Sequence, residues 1–174
     1  MRKHRKLLAL LVALTFLFSA VAPVMAAPAA EEKAAGTLNA LGIIEGYEDG
    51  SFGLERDITR AEFAKIAVVA AGLGDAESLM RNTPSKFSDV ATGEWYTGWV
   101  NIASNQGYVK GDPAGTFRPG DKISYAEVLT VLLRLLGYND NLPGEWPTNY
   151  LTKAVQLGIT KGVDFGSSDY AVRG

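Results

Sequence analysis

The sequence contains no cysteine, and its one histidine, His4, lies close to the amino terminus. Disulfide bonds are therefore excluded, so the fold must be held together by its apolar core. The chain beyond His4 also lacks the residues for thiolate nucleophiles, for Ser-His-Asp triads and for the usual zinc sites. No metal and no cofactor are expected. These absences favour a binding or structural protein over most classes of enzyme.

The chain has one long apolar run, and its flanks have the pattern of an export signal. Four basic residues precede the apolar stretch 7–22, and residues 24–26 supply the small-x-small motif of signal peptidase. Because the run is short for a membrane span, residues 1–26 are interpreted as a cleaved signal peptide, with a retained membrane anchor as the alternative. No stable membrane span is expected after cleavage. Residues 27–33, rich in Ala and Glu, are expected to form a disordered linker.

Positive charge is scarce in the rest of the chain. The first 26 residues carry four of the 17 Lys and Arg residues and none of the 19 Asp and Glu residues, which leaves a formal charge of −6. A chain this acidic is not expected to bind nucleic acid through its bulk charge. An acidic polymer would have to be bound by individually placed Arg or Lys side chains.

The chain repeats itself, and an internal repeat decides the architecture. A shift of 65 residues aligns Ile-Thr-Arg-Ala-Glu at 58–62 with Ile-Ser-Tyr-Ala-Glu at 123–127, and a shift of 51 residues aligns Trp95 with Trp146. The sequence therefore predicts three repeats, of which the first lacks its front and the third is truncated. Their predicted bounds are 34–75, 86–138 and 144–174, with short polar linkers at 75–85 and 139–145.

Each repeat is predicted to be helix, loop, helix, which gives an all-α fold class. Thr59-x-x-Glu62 and Ser124-x-x-Glu127 each precede an apolar run with helical spacing. These are capping boxes, in which a hydroxyl and a carboxylate satisfy free N–H groups at a helix start. A second helix type precedes the loop and ends at a glycine. Because one such helix pair cannot bury both apolar stripes, the repeats are expected to pack around a shared helical core.

The motifs of the second repeat occur in a defined order. They are Phe87-Ser88-Asp89-Val90, Trp95 and Trp99, Gly107-Tyr108-Val109-Lys110-Gly111, Gly115-Thr116-Phe117-Arg118-Pro119 and Ile123-Ser124-Tyr125-Ala126-Glu127. This series resembles one whole S-layer homology (SLH) repeat, and the first repeat has an intact Ile-Thr-Arg-Ala-Glu helix start. The resemblance covers essentially all of residues 34–174.

The resemblance implies a pseudo-threefold bundle in a secreted protein of the bacterial cell wall, with self-assembly in a surface layer as a further expectation. It also implies non-covalent anchoring to secondary cell-wall polysaccharide, commonly pyruvylated, in grooves between repeats. The signature Arg that contacts the pyruvate carboxylate corresponds to Arg60 and Arg173, whereas the second repeat has Tyr125, which cannot make a charge-assisted bond to a carboxylate. The other candidate ligand-binding residues are Trp95, Trp146, Asp112 and Lys110.

Several candidates also have a purely structural interpretation. Arg60 would otherwise be a solvated surface residue, and Asp112 followed by proline is typical of a turn. Trp95 and Trp99 lie four residues apart on one helix face, so at least one of them is expected in the core.

The main rival function is a hydrolase of cell-wall polymers, or an accessory carbohydrate-binding part of one. In that hypothesis Asp49 and Glu62 would act as acid and base. The recurring carboxylates already have cap or turn roles, however, so no enzyme activity is expected. Calcium binding by the acidic loops is disfavoured because they lack the alternating ligand positions of an EF-hand.

Overall fold

The computed structural model describes residues 28–163, 166 and 169–172, and within them it contains helices and no β-sheet. The predicted all-α fold class is confirmed. The predicted signal peptide and Arg173 lie outside the described residues. The helices are α1 (Pro28–Ala40), α2 (Arg60–Ala70), α3 (Glu77–Arg81), α4 (Thr97–Asn105), α5 (Tyr125–Leu135) and α6 (Thr148–Gln156).

Helices α2 and α5 begin at the two predicted capping boxes. At α2, Thr59 Oγ1 accepts a hydrogen bond from the Glu62 backbone N–H at 3.2 Å, and Glu62 Oε2 accepts one from the Thr59 N–H at 2.8 Å. Ser124 and Glu127 form the same pair at α5, at 3.3 and 2.9 Å. Gly72 ends α2 with φ of 72°, in the left-handed region that glycine enters without a Cβ clash. Both capping-box predictions are confirmed.

The three repeats meet in a closed ring of backbone hydrogen bonds. The Ile58 N–H donates to the Ala171 carbonyl at 3.1 Å, the Ala171 N–H donates to Ile123 at 2.8 Å, and the Ile123 N–H donates back to Ile58 at 3.0 Å. Each of these residues is 3% exposed. Ile58, Ile123 and Ala171 occupy the same position in the three predicted repeats, so the ring joins equivalent points of the repeats, as expected of a pseudo-threefold bundle.

Helix α1 differs from the sequence expectation. Residues 28–33 are helical rather than a disordered linker, so the first repeat has a helix in front of its loop. The segment was expected to be disordered because it is rich in Ala, Pro and Glu, but Ala and Glu are also strong helix formers, and Pro28 stands at the first helical position, where proline is tolerated. Ala35 is 3% exposed, whereas Leu38 and Leu41 are 38% and 67% exposed. The sequence-derived bounds of the repeats remain predictions.

The linker at 75–85 also contains more structure than its polar composition indicates. A 3₁₀ turn at Gly74–Ala76 leads into α3, where Glu77 is buried and receives two hydrogen bonds from Arg81, both at 2.8 Å. A Cβ added to Gly98 on α4 would lie within 3.0 Å of the Glu77 backbone oxygen. The glycine therefore allows α3 and α4 to pack closely.

The core runs between the helices and beneath the loops of the repeats. Helix α2 packs against α4 and α5, and α5 packs against α6. Burial of one large apolar side chain contributes about 1.5–3 kcal/mol. None of the described helices has both the length and the apolar composition needed to cross a bilayer. The largest fully buried apolar side chains are Tyr150, Phe117, Leu133, Val68 and Val100.

Candidate functional site

A groove of about 350 Å³, called here the Arg60 groove, lies beside the loop of the second repeat. Its walls are that loop, helix α5 and Trp146 of the third repeat. It brings together four of the six predicted ligand-binding residues, Arg60, Lys110, Asp112 and Trp146. Its charged lining comprises the cations Arg60, Lys110, Arg118 and Arg134 and the carboxylates Asp112 and Glu127.

Arg60 reaches from the start of α2 into the second repeat. Its Nε donates to the Phe117 carbonyl at 2.7 Å, and its Nη1 donates to Oε1 of Glu127 in an ion pair. The guanidinium also lies 5.0 Å from the centroid of the Phe117 ring. Arg60 is 7% exposed, so it is not a solvated surface residue. Among the described residues, Arg60 Nη2 has no hydrogen-bond partner. The Arg60 side chain also lines the groove.

Glu127 caps helix α5 in the second repeat and also pairs with Arg60 of the first repeat. Its Oε2 accepts hydrogen bonds from the Ser124 N–H and hydroxyl, at 2.9 and 3.1 Å, while its Oε1 pairs with Arg60. Sequence reasoning found the cap but missed the pairing. Both oxygens of Glu127 are thus engaged in structural contacts, one with the start of α5 and the other with Arg60.

The carboxylates of the rival hydrolase hypothesis have similar structural partners. Asp49 Oδ1 accepts from the Ser51 hydroxyl at 2.7 Å and from its N–H at 2.9 Å, and these bonds lower the pKa of Asp49. Glu62 Oε2 accepts from both the N–H and the hydroxyl of Thr59. Each carboxylate closes its own turn or caps its own helix. This geometry gives no support for an acid and base pair.

The loop that forms one wall of the groove is held by two aspartates. Asp112 accepts from the Thr116 hydroxyl at 2.6 Å and from the N–H groups of Thr116 and Ala114, and these bonds lower its pKa. Asp89 accepts from the backbone N–H groups of Phe117 and Arg118, both at 2.7 Å. The turn interpretation of Asp112 is therefore correct, and the same side chain also lines the groove.

Lys110 and Arg134 converge on one carboxylate that sequence reasoning missed. Asp140 Oδ2 pairs with Lys110 Nζ, while its Oδ1 accepts from Arg134 Nη2 at 2.9 Å and from the Tyr150 hydroxyl at 2.7 Å. The hydrogen bond from Lys110, followed by those from Tyr150 and Arg134, lowers the pKa of Asp140. Burial and the bond to Asp140 raise the pKa of Tyr150. The first repeat has Val69 in place of Arg134, so the repeat pattern did not single out this cluster.

The contacts of Asp140 with Lys110, Arg134 and Tyr150, called here the Asp140 cluster, are expected to make the fold less stable in acid. Because folding lowers the pKa of Asp140, its contribution is fully present above about pH 4, the usual value for an Asp, and is lost as the pH falls toward the lower folded pKa. The unfolding free energy of Asp140→Asn should therefore fall less steeply than that of the wild type below about pH 4. Urea unfolding at a series of pH values measures this difference, with Asp75→Asn as a control for removal of one exposed carboxylate. A difference between wild type and Asp140→Asn that stays constant through this range would contradict it.

The two aligned tryptophans lie in different grooves. Trp146 is 56% exposed, and its Nε1–H donates to Thr130 Oγ1 at 3.0 Å. Trp95 is 48% exposed and lines a second groove of about 430 Å³, called here the Trp95 groove. Trp99 is half-buried and packs against the core, as expected of one residue of that pair. Tyr125 is also half-buried against the core.

The two grooves occupy equivalent positions in the first and second repeats but differ in charge. Glu45 of the Trp95 groove stands at the position of Lys110, and Lys65 stands at the position of Thr130. The described charged lining of the Trp95 groove is Glu45, Glu62 and Lys65, with Lys65 Nζ 3.4 Å from Glu45 Oε2. The Arg60 groove is lined by four cations and two carboxylates, and Asp140 pairs with Lys110 and Arg134 from outside that lining.

Comparison with known proteins agrees with the repeat pattern. The model of the S-layer homology domain matches residues 25–64 and 86–129. The chain is 40% identical over 136 residues to the surface layer protein of Brevibacillus choshinensis, an alignment that covers 78% of this chain and 12% of that protein. It is 39% identical over 132 residues to the middle cell wall protein of Brevibacillus brevis, covering 76% of this chain and 12% of that protein.

A third relative aligns along the whole chain. This is the cell surface protein of Thermoanaerobacter kivui, 32% identical over 183 aligned positions, which cover 100% of this chain and 24% of that protein. The chain thus spans only a small part of the length of these relatives. The family and the relatives indicate localisation at the bacterial cell-wall surface and support an anchoring role. With its capping boxes, loops and helices arranged about a pseudo-threefold axis, the chain belongs to the S-layer homology domain family.

Proposed function

We propose that this chain binds an acidic secondary cell-wall polysaccharide in the Arg60 groove and thereby anchors the protein that carries it. The observation behind the proposal is the concentration of Arg60, Lys110, Arg118 and Arg134 in one groove of a chain that is otherwise acidic. Each of these cations also has a carboxylate partner within the protein, so an anionic ligand would be bound by the donors that those ion pairs leave over.

Arg60 is the proposed contact for the carboxylate of a pyruvate ketal. A guanidinium donates charge-assisted hydrogen bonds to a carboxylate, and such bonds are stronger than neutral ones. Arg60 lies at the first turn of α2, where the helix dipole also favours an anion. Because Glu127 already pairs with Arg60, the ligand carboxylate would share this guanidinium with Glu127 through the remaining Nη2 donor.

Trp146 and Lys110 are proposed to contact the saccharide beside the carboxylate. The half-exposed indole of Trp146 offers an apolar face to a sugar ring. Lys110 is tethered by Asp140, yet its side chain is 59% exposed and its ammonium group has three donors. Asp112 is proposed to act mainly by shaping the loop, since both of its oxygens accept hydrogen bonds within it.

Binding to purified wall sacculi tests the proposed function. The protein should sediment with intact sacculi and stay in solution when the secondary polymer has been chemically stripped from the peptidoglycan. A methyl hexoside that carries a pyruvate ketal should release the bound protein, whereas the same hexoside without the ketal should not, because only the former supplies a carboxylate.

Two results would contradict the proposal in different ways. Equal sedimentation with stripped peptidoglycan would show that the secondary polymer is not the ligand. Release of reducing sugars or peptides from the sacculi would favour the hydrolase hypothesis, for which the described carboxylates offer no supporting geometry.

A further inference from the structure

One side-chain hydrogen bond holds Trp146 against the wall of the Arg60 groove. The indole Nε1–H donates to Thr130 Oγ1 at 3.0 Å, while the residue remains 56% exposed. An indole has one N–H donor and no acceptor, so this bond satisfies the whole polar capacity of the ring. The polar edge of Trp146 is thus attached to the protein, and more than half of the residue stays open to solvent.

The orientation of Thr130 is itself determined by helix α5. Its hydroxyl donates to the Ala126 carbonyl at 2.7 Å, and the residue is 4% exposed. Because the hydroxyl proton is committed to Ala126, the oxygen lone pairs are the part that can face Trp146. The branched side chain also has few rotamers in a helix. Thr130 therefore presents a fixed acceptor to the indole.

The Trp95 groove has no equivalent of this attachment among the described residues. Lys65 stands at the position of Thr130, and its Nζ lies 3.4 Å from Glu45 Oε2 and 6.0 Å from the centroid of the Trp99 ring. Trp95 instead meets the ring of Tyr96 edge to face, with 5.5 Å between centroids. Two tryptophans at aligned sequence positions are therefore held in different ways.

We infer that Thr130 is a positioning residue that makes Trp146 a preformed stacking surface for a saccharide ring in the Arg60 groove. The inference rests on the proposed function, since it names the residue that prepares the same groove for its ligand. A side chain that is ordered before binding loses less conformational entropy when the ligand arrives. Thr130 thus determines which of the two grooves has a fixed aromatic surface.

The inference is tested with Thr130→Val and Thr130→Ser. Valine keeps the branched shape and removes the acceptor, whereas serine keeps the hydroxyl. The indole N–H resonances of the three tryptophans, assigned with Trp95→Phe and Trp146→Phe, report each environment separately. In Thr130→Val we expect the Trp146 resonance to move and its proton to exchange faster with water, with the Trp95 resonance unchanged. Thr130→Ser should retain the wild-type values.

Titration with the methyl hexoside that carries a pyruvate ketal measures the effect of each variant on ligand affinity. The dissociation constant of Thr130→Val is expected to rise about threefold, as for loss of one ordinary hydrogen bond, and that of Thr130→Ser to match the wild type. Wild-type affinity in Thr130→Val, or an unchanged Trp146 resonance, would overturn the inference. If the wild type itself does not bind the hexoside, the proposed function is overturned, and the resonances still decide whether Thr130 positions Trp146.

Discussion

Replacement of Arg60 with alanine is expected to weaken binding to the acidic polymer roughly tenfold or more and to destabilise the fold by about 2–4 kcal/mol. The stability effect follows from the partners that Arg60 leaves behind. The Phe117 carbonyl loses its hydrogen bond from Arg60, and Glu127 loses a charge partner while its side chain is only 24% exposed. A buried polar group left unpaired costs more than the bond itself contributes.

The binding effect has a separate cause. Without the guanidinium, the groove loses its least exposed cation and the Nη2 donor proposed for the ligand carboxylate. Arg60→Lys would keep the charge but not the planar group whose donors can serve Phe117, Glu127 and the ligand at once, so its affinity is expected to lie between those of wild type and Arg60→Ala. Arg56→Ala is the matched control, because Arg56 is exposed and lies over the Tyr47 ring, outside the Arg60 groove.

Urea unfolding and sedimentation with sacculi measure the two effects independently. Near-ultraviolet circular dichroism identifies a temperature at which Arg60→Ala is still folded, and binding is compared at that temperature. A double-mutant cycle with Glu127→Gln should give a coupling of about 1–2 kcal/mol, since the two side chains are in direct contact. If Arg60→Ala proved as stable as Arg56→Ala and bound sacculi equally well, Arg60 would have neither the proposed stabilising role nor the proposed binding role.

Replacement of Gly111 with alanine is expected to destabilise the chain by about 2–3 kcal/mol through overpacking and to disrupt the Arg60 groove. A Cβ at this position would lie within 3.0 Å of both the Phe87 ring and the Thr116 backbone oxygen. Phe87 is buried and packs on Phe117, with 5.4 Å between ring centroids. Displacement of Phe87 or Thr116 would therefore also shift Phe117, whose carbonyl accepts the hydrogen bond from Arg60 Nε.

The first repeat supplies the matched control for this glycine. Gly46 occupies the equivalent position, and its Cβ would lie 3.2 Å from the Ser51 oxygen and 3.8 Å from the Phe52 ring. Gly46→Ala is expected to cost less than about 1 kcal/mol, because small shifts of its neighbours relieve the contact. Thermal unfolding and hexoside titration of both variants compare the two positions. Equal effects of Gly46→Ala and Gly111→Ala would show that the close packing around Phe87 is not the cause.

Local features of the chain were predictable because they depend on residues near one another in sequence. The capping boxes at Thr59 and Ser124 are determined by a hydroxyl and a carboxylate three residues apart, and the structure confirms both. The glycine that ends α2 needs only a left-handed backbone conformation. The same local reasoning was wrong for residues 28–33, where composition suited both a linker and a helix and the structure shows a helix.

The partners of the candidate site were much less predictable because they come from different repeats. Arg60 and Glu127 are 67 residues apart, and nothing in the spacing of two separate capping boxes indicates that they pair. Asp140 lies in a polar linker, and its role depends on Lys110 and Arg134 arriving from two other segments. Such contacts have no sequence period, since tertiary packing alone sets which loops face each other.

The absence of cysteine chemistry, the repeated helix, loop, helix units, the helix starts and the family of the chain all follow from the amino-acid sequence. The three-dimensional fold was needed to show that Arg60 is buried in an ion pair, that Trp146 and Trp95 face different grooves, and that four cations line one of them. The two sets of features differ in the sequence distance over which their interactions act. Helix starts and turns are governed by hydrogen bonds over a few residues, whereas the ring of bonds through Ile58, Ile123 and Ala171 brings together repeats that are distant along the chain.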